Sequence, residues 1–177
     1  MTSTHQTVLD PIAEARRQWV AHGWGEAAPG MAVVTTITRV QQLLEARVED
    51  VLAPFGLTFA RFEILRLLGF TRTGRLPMGK ISDRLQIHPA SVTSAVKRLE
   101  REGLISRTPD ADDNRVVLAS LLPAGRRVLD PATAAVNEVF LSTGLQRSEI
   151  DRLIALLDPI RSQAGDQVEM TPAAMDD

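Results

Sequence analysis

The 177-residue chain contains no cysteine. Disulfides, thiolate metal sites and thiol-based redox sensing are therefore excluded. Its three histidines, His5, His22 and His88, lie far apart in sequence and leave a zinc site little to draw on. No apolar run approaches the roughly 18 residues that a membrane span requires, so no membrane partner is expected. The opening residues, MTSTHQTVLD, lack the basic-then-apolar order of a secretory signal, and the expected location is cytoplasmic. Enzyme signatures are missing as well. There is no G-x-S-x-G, no H-E-x-x-H and no glycine-rich phosphate loop, and the carboxylates are scattered. The chain reads as a non-enzyme that needs no cofactor.

What is present is an ordinary globular composition, with 44% hydrophobic and 24% charged residues. The net charge of −2 argues at first against an anionic partner, but its distribution is uneven. Residues 72 to 115 hold nine Lys/Arg and six Asp/Glu, so that this stretch carries +3 and the remainder −5. A basic middle between acidic ends suits one surface for an anionic polymer and other surfaces for other work. Charge runs on their own are usually solvated faces.

Apolar periodicity predicts a mainly helical chain with one small β-wing. A first helix over 10–24 opens on Asp10-Pro11, a good cap followed by a good first residue. Gly23, Gly25, Pro29 and Gly30 are expected to break it. A second helix over 31–53 carries Val33, Val34, Ile37, Val40, Leu44, Val48, Val51 and Leu52 on one side. Thr58 should cap a third, over 59–69, buried through Phe62, Ile64, Leu65 and Leu68. The residues GRLP read as a short loop before a helix over 78–85. A turn at 86–88 and a helix over 89–102 follow, ended by Gly103. Residues 104–108 and 115–121 are β-like around a polar turn. Pro123 begins another helix that Pro131 should kink or interrupt. The last helix spans 148–162 with Ser148 as its cap.

The helix over 89–102 carries the chemistry. At 100° per residue, Val92, Ala95, Val96 and Leu99 share a core face. Ala90, Ser91, Thr93, Ser94, Lys97, Arg98 and Arg101 lie opposite. Small hydroxylic residues at one end and cations at the other suit a helix entering a major groove. In the hairpin, Arg107 lies at the base and Arg115 just past an acidic tip, D-A-D-D-N. Asp113 and Arg115 stand two apart, so on an extended strand they face the same way and can pair. Asp113 would then orient Arg115 for a narrow, negative minor groove. Taken singly, each feature also fits an ordinary solvated helix or hairpin tip.

The order of the pieces resembles the MarR-type winged helix-turn-helix regulators. The resemblance rests on GLTFARFEILRLL and on ISDRLQIHPASVTSAVKRLEREGLISRTPDADDNRVVLASLLPAG, above all on the continuous run from VTSAVKRLE to VVLASL with its D-x-R, Asp113-Asn114-Arg115. It implies a homodimer whose terminal helices interlock, one winged helix-turn-helix per subunit, and duplex DNA as partner. It also implies a pseudo-palindromic operator, usually bound by a repressor. Groove-facing roles fall on Ser91, Thr93, Ser94, Lys97 and Arg98, the wing role on Arg115, and secondary roles on Ala90 and Arg107. The sequence departs from the pattern in Asn114, where arginine is frequent, in Leu122, where a capping threonine or serine is usual, and in Pro131.

The expected organisation is a disordered start (1–9), dimerisation helices (10–56), a winged helix-turn-helix (57–122), further dimerisation helices (123–163) and a disordered tail (164–177). The resemblance further implies a small, often aromatic effector between the dimer region and the DNA lobe. Trp19, Phe59, Arg61, Phe62 and His88, with Trp24 and Phe55, are the candidates to meet it, although the aromatic residues equally suit a core. The competing function is a winged-helix module for protein–protein contact without DNA.

Overall fold

The structure, a computed structural model, describes residues 9–111, 113 and 115–168. Most of the expected disordered start and tail, together with Asp112 and Asn114 of the expected wing tip, lie outside these. The elements are α1 (Pro11–Ala21), α2 (Ala28–Leu52), one 3-10 turn (Ala53–Phe55), α3 (Phe59–Phe70), β1 (Arg75–Pro77), α4 (Met78–Leu85), α5 (Pro89–Arg101), β2 (Ile105–Pro109), β3 (Val117–Leu121), α6 (Pro123–Leu141) and α7 (Arg147–Gln163). No helix among the described residues is long and apolar enough to cross a membrane.

One compact unit ends at Val136. Its centre is α3, which packs against α2, α4, α5 and β3. The Thr58 hydroxyl accepts the Arg61 N–H and starts this helix. Phe62, Ile64, Leu65 and Leu68 are buried as the periodicity requires. Ile81 of α4, Val92, Val96 and Leu99 of α5, Ile105 of β2 and Ala119 of β3 close the same core. Each fully buried aliphatic side chain contributes about 1.5–3 kcal/mol relative to exposure.

The wing is a three-stranded antiparallel sheet in the order β1-β3-β2. Ile105 stands opposite Leu121 and Pro109 opposite Val117, while Arg75 faces Ser120 on the other edge. The expected GRLP loop is thus corrected: Arg75–Pro77 is a strand, made by pairing with β3 rather than by its own propensity. Gly103, at φ +67, turns the chain out of α5 into β2. Gly125 lets α6 start against the wing, because a Cβ there would collide with the Leu104 carbonyl. That same carbonyl accepts the Leu122 N–H at 3.0 Å.

Three further expectations are revised. Helix α2 begins at Ala28, with Pro29 and Gly30 inside its first turn, where a missing N–H is harmless. Helix α6 continues through Pro131, at the loss of one helical hydrogen bond. Helix α7 is started at Gln146 rather than Ser148: the Glu149 carboxylate reaches back to the Gln146 N–H at 2.7 Å.

The second compact unit begins at Asn137 and includes α7. Within it Asp158 is buried and pairs with Arg161, and Pro159 lies inside the helix. Leu153, Ile154, Leu156 and Ile160 are exposed.

Candidate nucleic-acid interface

Helix α5 is positioned from its first residue. The His88 ring Nδ1 accepts the Ala90 N–H at 3.2 Å, and the His88 carbonyl accepts the N–H groups of Ser91 and Val92. Pro89 takes the first helical position, where its ring fits and its missing N–H costs nothing. Val92, Val96 and Leu99 anchor the helix to the core. Ala95, expected with them, is half-buried, because it sits at the edge of the core beside α3 and lines a groove there. Ala90, Ser91, Ser94, Lys97, Arg98 and Arg101 are exposed.

The hydroxyls on this face differ. Thr93 donates to the Pro89 carbonyl at 2.9 Å, whereas Ser91 and Ser94 have no protein partner among the described residues. The cations differ too. Arg98 donates through Nε to Glu102, one turn further on. Arg61, from α3, donates to the same carboxylate at 3.0 and 3.2 Å. Its Nε reaches the Thr58 hydroxyl at 3.3 Å. Glu102 thus joins α3 to α5, a link between residues 41 apart that no local spacing could reveal.

The wing carries two oriented arginines. Arg107 on β2 holds Glu100 of α5 at 2.6 Å and is half-buried. Hydrogen bonding from Arg107 keeps the Glu100 carboxyl below its ordinary range. Arg115 donates from Nε to Asp113 Oδ1 and from Nη2 to Oδ2, both at 3.0 Å, while its side chain stays 90% exposed. The hydrogen bonds from Arg115 lower the Asp113 carboxyl and raise the Arg115 guanidinium.

The pairing of Asp113 with Arg115 was expected from an extended strand, and that backbone is corrected. Strand β3 begins only at Val117. The Val116 N–H donates to the Asp113 carbonyl at 2.8 Å. The Asp113 side chain also accepts the Arg115 N–H at 3.0 Å, the local bond that aspartate makes two residues ahead in turns. The guanidinium meets its carboxylate ahead of the strand, through these local bonds, and not through the pleat.

Two open grooves gather these groups. Thr58, Arg61, Ser91, Ser94, Ala95 and Arg98 line one, between α3 and α5. Lys80, Asp83, Thr93, Arg107, Arg115 and Val116 are among the residues lining the other, between α4, α5 and the wing. The structure therefore assembles Ser91, Ser94 and Arg98 on one side of the helix and Thr93, Arg107 and Arg115 on the other. Lys97 is exposed and lines neither groove. Lys80, Glu100 and Glu102 were not singled out from sequence; only the Arg98–Glu102 spacing gave a local signal.

The expected effector residues are not gathered in the same way. Trp19 stacks edge-on against Trp24 at 5.4 Å, on α1 and the turn after it. Phe59 and Phe62 stack at 6.4 Å on α3, with Phe62 in the core. Phe55 lies half-buried in the 3-10 turn. Arg61 is bound to Glu102 and His88 caps α5. A third groove, between α1 and α2, is lined by Ile12, Arg16, Val20 and Ala32 among others and includes none of the candidates.

Comparison with known proteins bears on the family and the fold. Residues 57–117 match the MarR family model. Among solved structures, Sco5413 of Streptomyces coelicolor, a MarR family transcriptional regulator, is 42% identical with a TM-score of 0.71. That likeness covers 80% of this chain and 99% of Sco5413. BpsR of Bordetella bronchiseptica, solved in a study of how 6-hydroxynicotinic acid regulates its DNA binding, is 25% identical at a TM-score of 0.64, covering 72% of this chain and 97% of that one. The HTH-type transcriptional regulator YkoM of Bacillus subtilis (strain 168) is 35% identical over 104 residues, 58% of this chain. The chain spans 66% of that relative, just under two thirds of its length. A profile centred on the winged module and a likeness that takes in nearly the whole of a solved family member agree on one assignment: the chain belongs to the MarR family of transcriptional regulators.

Proposed function

We propose that the chain is a homodimeric, sequence-specific regulator that binds duplex DNA, acts as a repressor at a pseudo-palindromic operator and is released by a small aromatic ligand. The observation that carries this reading is the outer face of α5. Ser91, Ser94, Lys97 and Arg98 are presented to solvent while Val92, Val96 and Leu99 fix the helix from behind. Beside that face stands Arg115, exposed and held by Asp113. Small side chains admit the helix backbone to a major groove, free hydroxyls can meet base edges or phosphates, and an oriented guanidinium suits the adjacent minor groove.

Dimerisation through the residues flanking 57–122 is supported by what a single chain leaves uncovered. Val33, Val34, Ile37, Val40, Leu43 and Leu44 form an exposed stripe along α2, which a second copy would bury. A small aromatic acid as effector is supported by the regulation of BpsR, although the residues expected to hold it are spread over separate places in this chain.

The test is equilibrium binding of the full chain to duplex selected from a random pool. Arg115→Ala should weaken binding strongly. Lys97→Ala should reduce the salt slope by about one unit. Parental behaviour in both variants would remove the site. Absence of any binding to random duplex at about 50 mM salt, where non-specific association should already be evident, would favour a protein-binding module instead.

A further inference from the structure

The groove between α3 and α5 has a composition that the recognition helix alone does not explain. It is open, with a volume of about 460 Å³, and no carboxylate is among its lining residues Thr58, Arg61, Ser91, Ser94, Ala95 and Arg98. Two of these residues come from α3 or its cap, outside the helix to which DNA contacts were assigned from sequence. Glu102 stands behind the groove and is shared by two arginines. One carboxylate cannot neutralise two guanidinium groups, so the cluster keeps a net positive charge. It also keeps free donors. Arg98 uses only Nε on Glu102, and Arg61 uses Nε and Nη1. Among the described residues, both terminal nitrogens of Arg98, Nη2 of Arg61 and the hydroxyls of Ser91 and Ser94 have no protein partner.

We infer that this groove is a phosphodiester subsite, in which Arg61 from α3 joins Arg98, Ser91 and Ser94 in holding one backbone phosphate of the duplex, the two guanidinium groups sharing the one carboxylate of Glu102. The inference rests on the DNA-binding reading above and deepens it. A phosphodiester is a compact monoanion that only accepts hydrogen bonds, and every free side-chain position named in the groove can donate one. The partly buried Arg61, with its side chain 15% exposed, is fixed by Thr58 and Glu102, so little side-chain freedom is left to lose on binding. A contact of this kind fixes register on the duplex and carries no base information.

The experiment is a salt titration of the full chain on a selected duplex and on a random one, between about 50 and 200 mM. Arg61→Gln should lower the log–log slope by about 0.9 on both duplexes, so that the affinity lost across that range shrinks about 3-fold. The ratio of selected to random affinity should stay unchanged. Arg61→Lys should restore the slope, because the charge returns. If Arg61 only ties α3 to α5, Arg61→Gln will lower the melting temperature and leave the slope as it was, and the subsite is overturned. Should Arg61→Gln fail to fold, Glu102→Gln serves in its place. Removing the sole compensating carboxylate should raise affinity for random duplex several-fold at about 50 mM, and an unchanged affinity sinks the inference. A parent chain that binds no duplex would overturn the DNA-binding reading itself; a parent that binds while the variants keep its slope overturns only the subsite.

Discussion

Helices α2 and α3 are neighbours in the chain and meet opposite fates. Every apolar residue on the inner side of α3, from Phe62 to Leu68, is 5% exposed or less. On α2 a stripe that is just as apolar stays open: Val34 is 64% exposed, Leu43 47% and Ile37 40%. Only Ala28, near its start, and Val48 and Leu52, near its end, are buried. Both stripes are built of large apolar residues at helical spacing. What separates them is supply of partners: α3 is surrounded by α2, α4, α5 and β3, whereas α2 meets α1, α3 and the 3-10 turn and its residues 33–47 all stay exposed. Apolar periodicity announces that a face must be covered. It is silent on whether the cover comes from the same chain.

The comparison can be broken at either helix. The largest effect is expected in α3, where Leu65→Ala opens a cavity in a fully buried position and should cost about 2–5 kcal/mol, read as a lower denaturant midpoint with an unchanged slope. On α2, Ile37→Glu puts a charge on the open stripe. If a second copy covers it, the variant should sediment as a monomer at concentrations where the parent is dimeric, a loss of about 2 kcal/mol or more in association. Its melting as a monomer should barely differ from that of the dissociated parent. Equal sedimentation of the two would mean that α2 needs another cover.

The smallest effect lies at the wing. Asp113 has a folded-state carboxyl lower than its unfolded one, because Arg115 donates to it. The ion pair is therefore complete above the unfolded value, about 3.9, and is lost only as pH falls through the lower folded value. Between pH 5 and 8 the Arg115 orientation should not change, and DNA affinity measured across that window should show no dependence traceable to Asp113. Asp113→Asn should weaken binding throughout it, and less than removal of the Arg115 side chain does. An acid-side decline centred above about pH 4 in the parent but not in the variant would contradict the pairing.

Much of the fold was legible because its signals are local. Thr58 before an apolar run, and His88-Pro89 before an amphipathic one, state where α3 and α5 begin. Gly103 states where α5 ends. The strand Arg75–Pro77 was not legible, since three residues have no period of their own and acquire strand geometry only from β3, far along the chain. The site divides along the same line. The Arg98–Glu102 and Asp113–Arg115 pairs lie within one turn of chain and could be read or half-read from spacing. The Arg61–Glu102 and Glu100–Arg107 bonds cross between elements and appear only once α3, α5 and β2 are folded together. The partner of Arg61, an effector candidate by sequence, is visible only in three dimensions.

One bond within α5 bears on which bases the helix could prefer. Thr93 has committed its proton to the Pro89 carbonyl, so toward any outside partner it can offer only lone pairs and a methyl group. In a major groove such a side chain suits the thymine methyl, or an exocyclic amine that donates to it, and has no proton to give to the acceptors of guanine. The discrimination at that step would come from a hydroxyl already occupied at home.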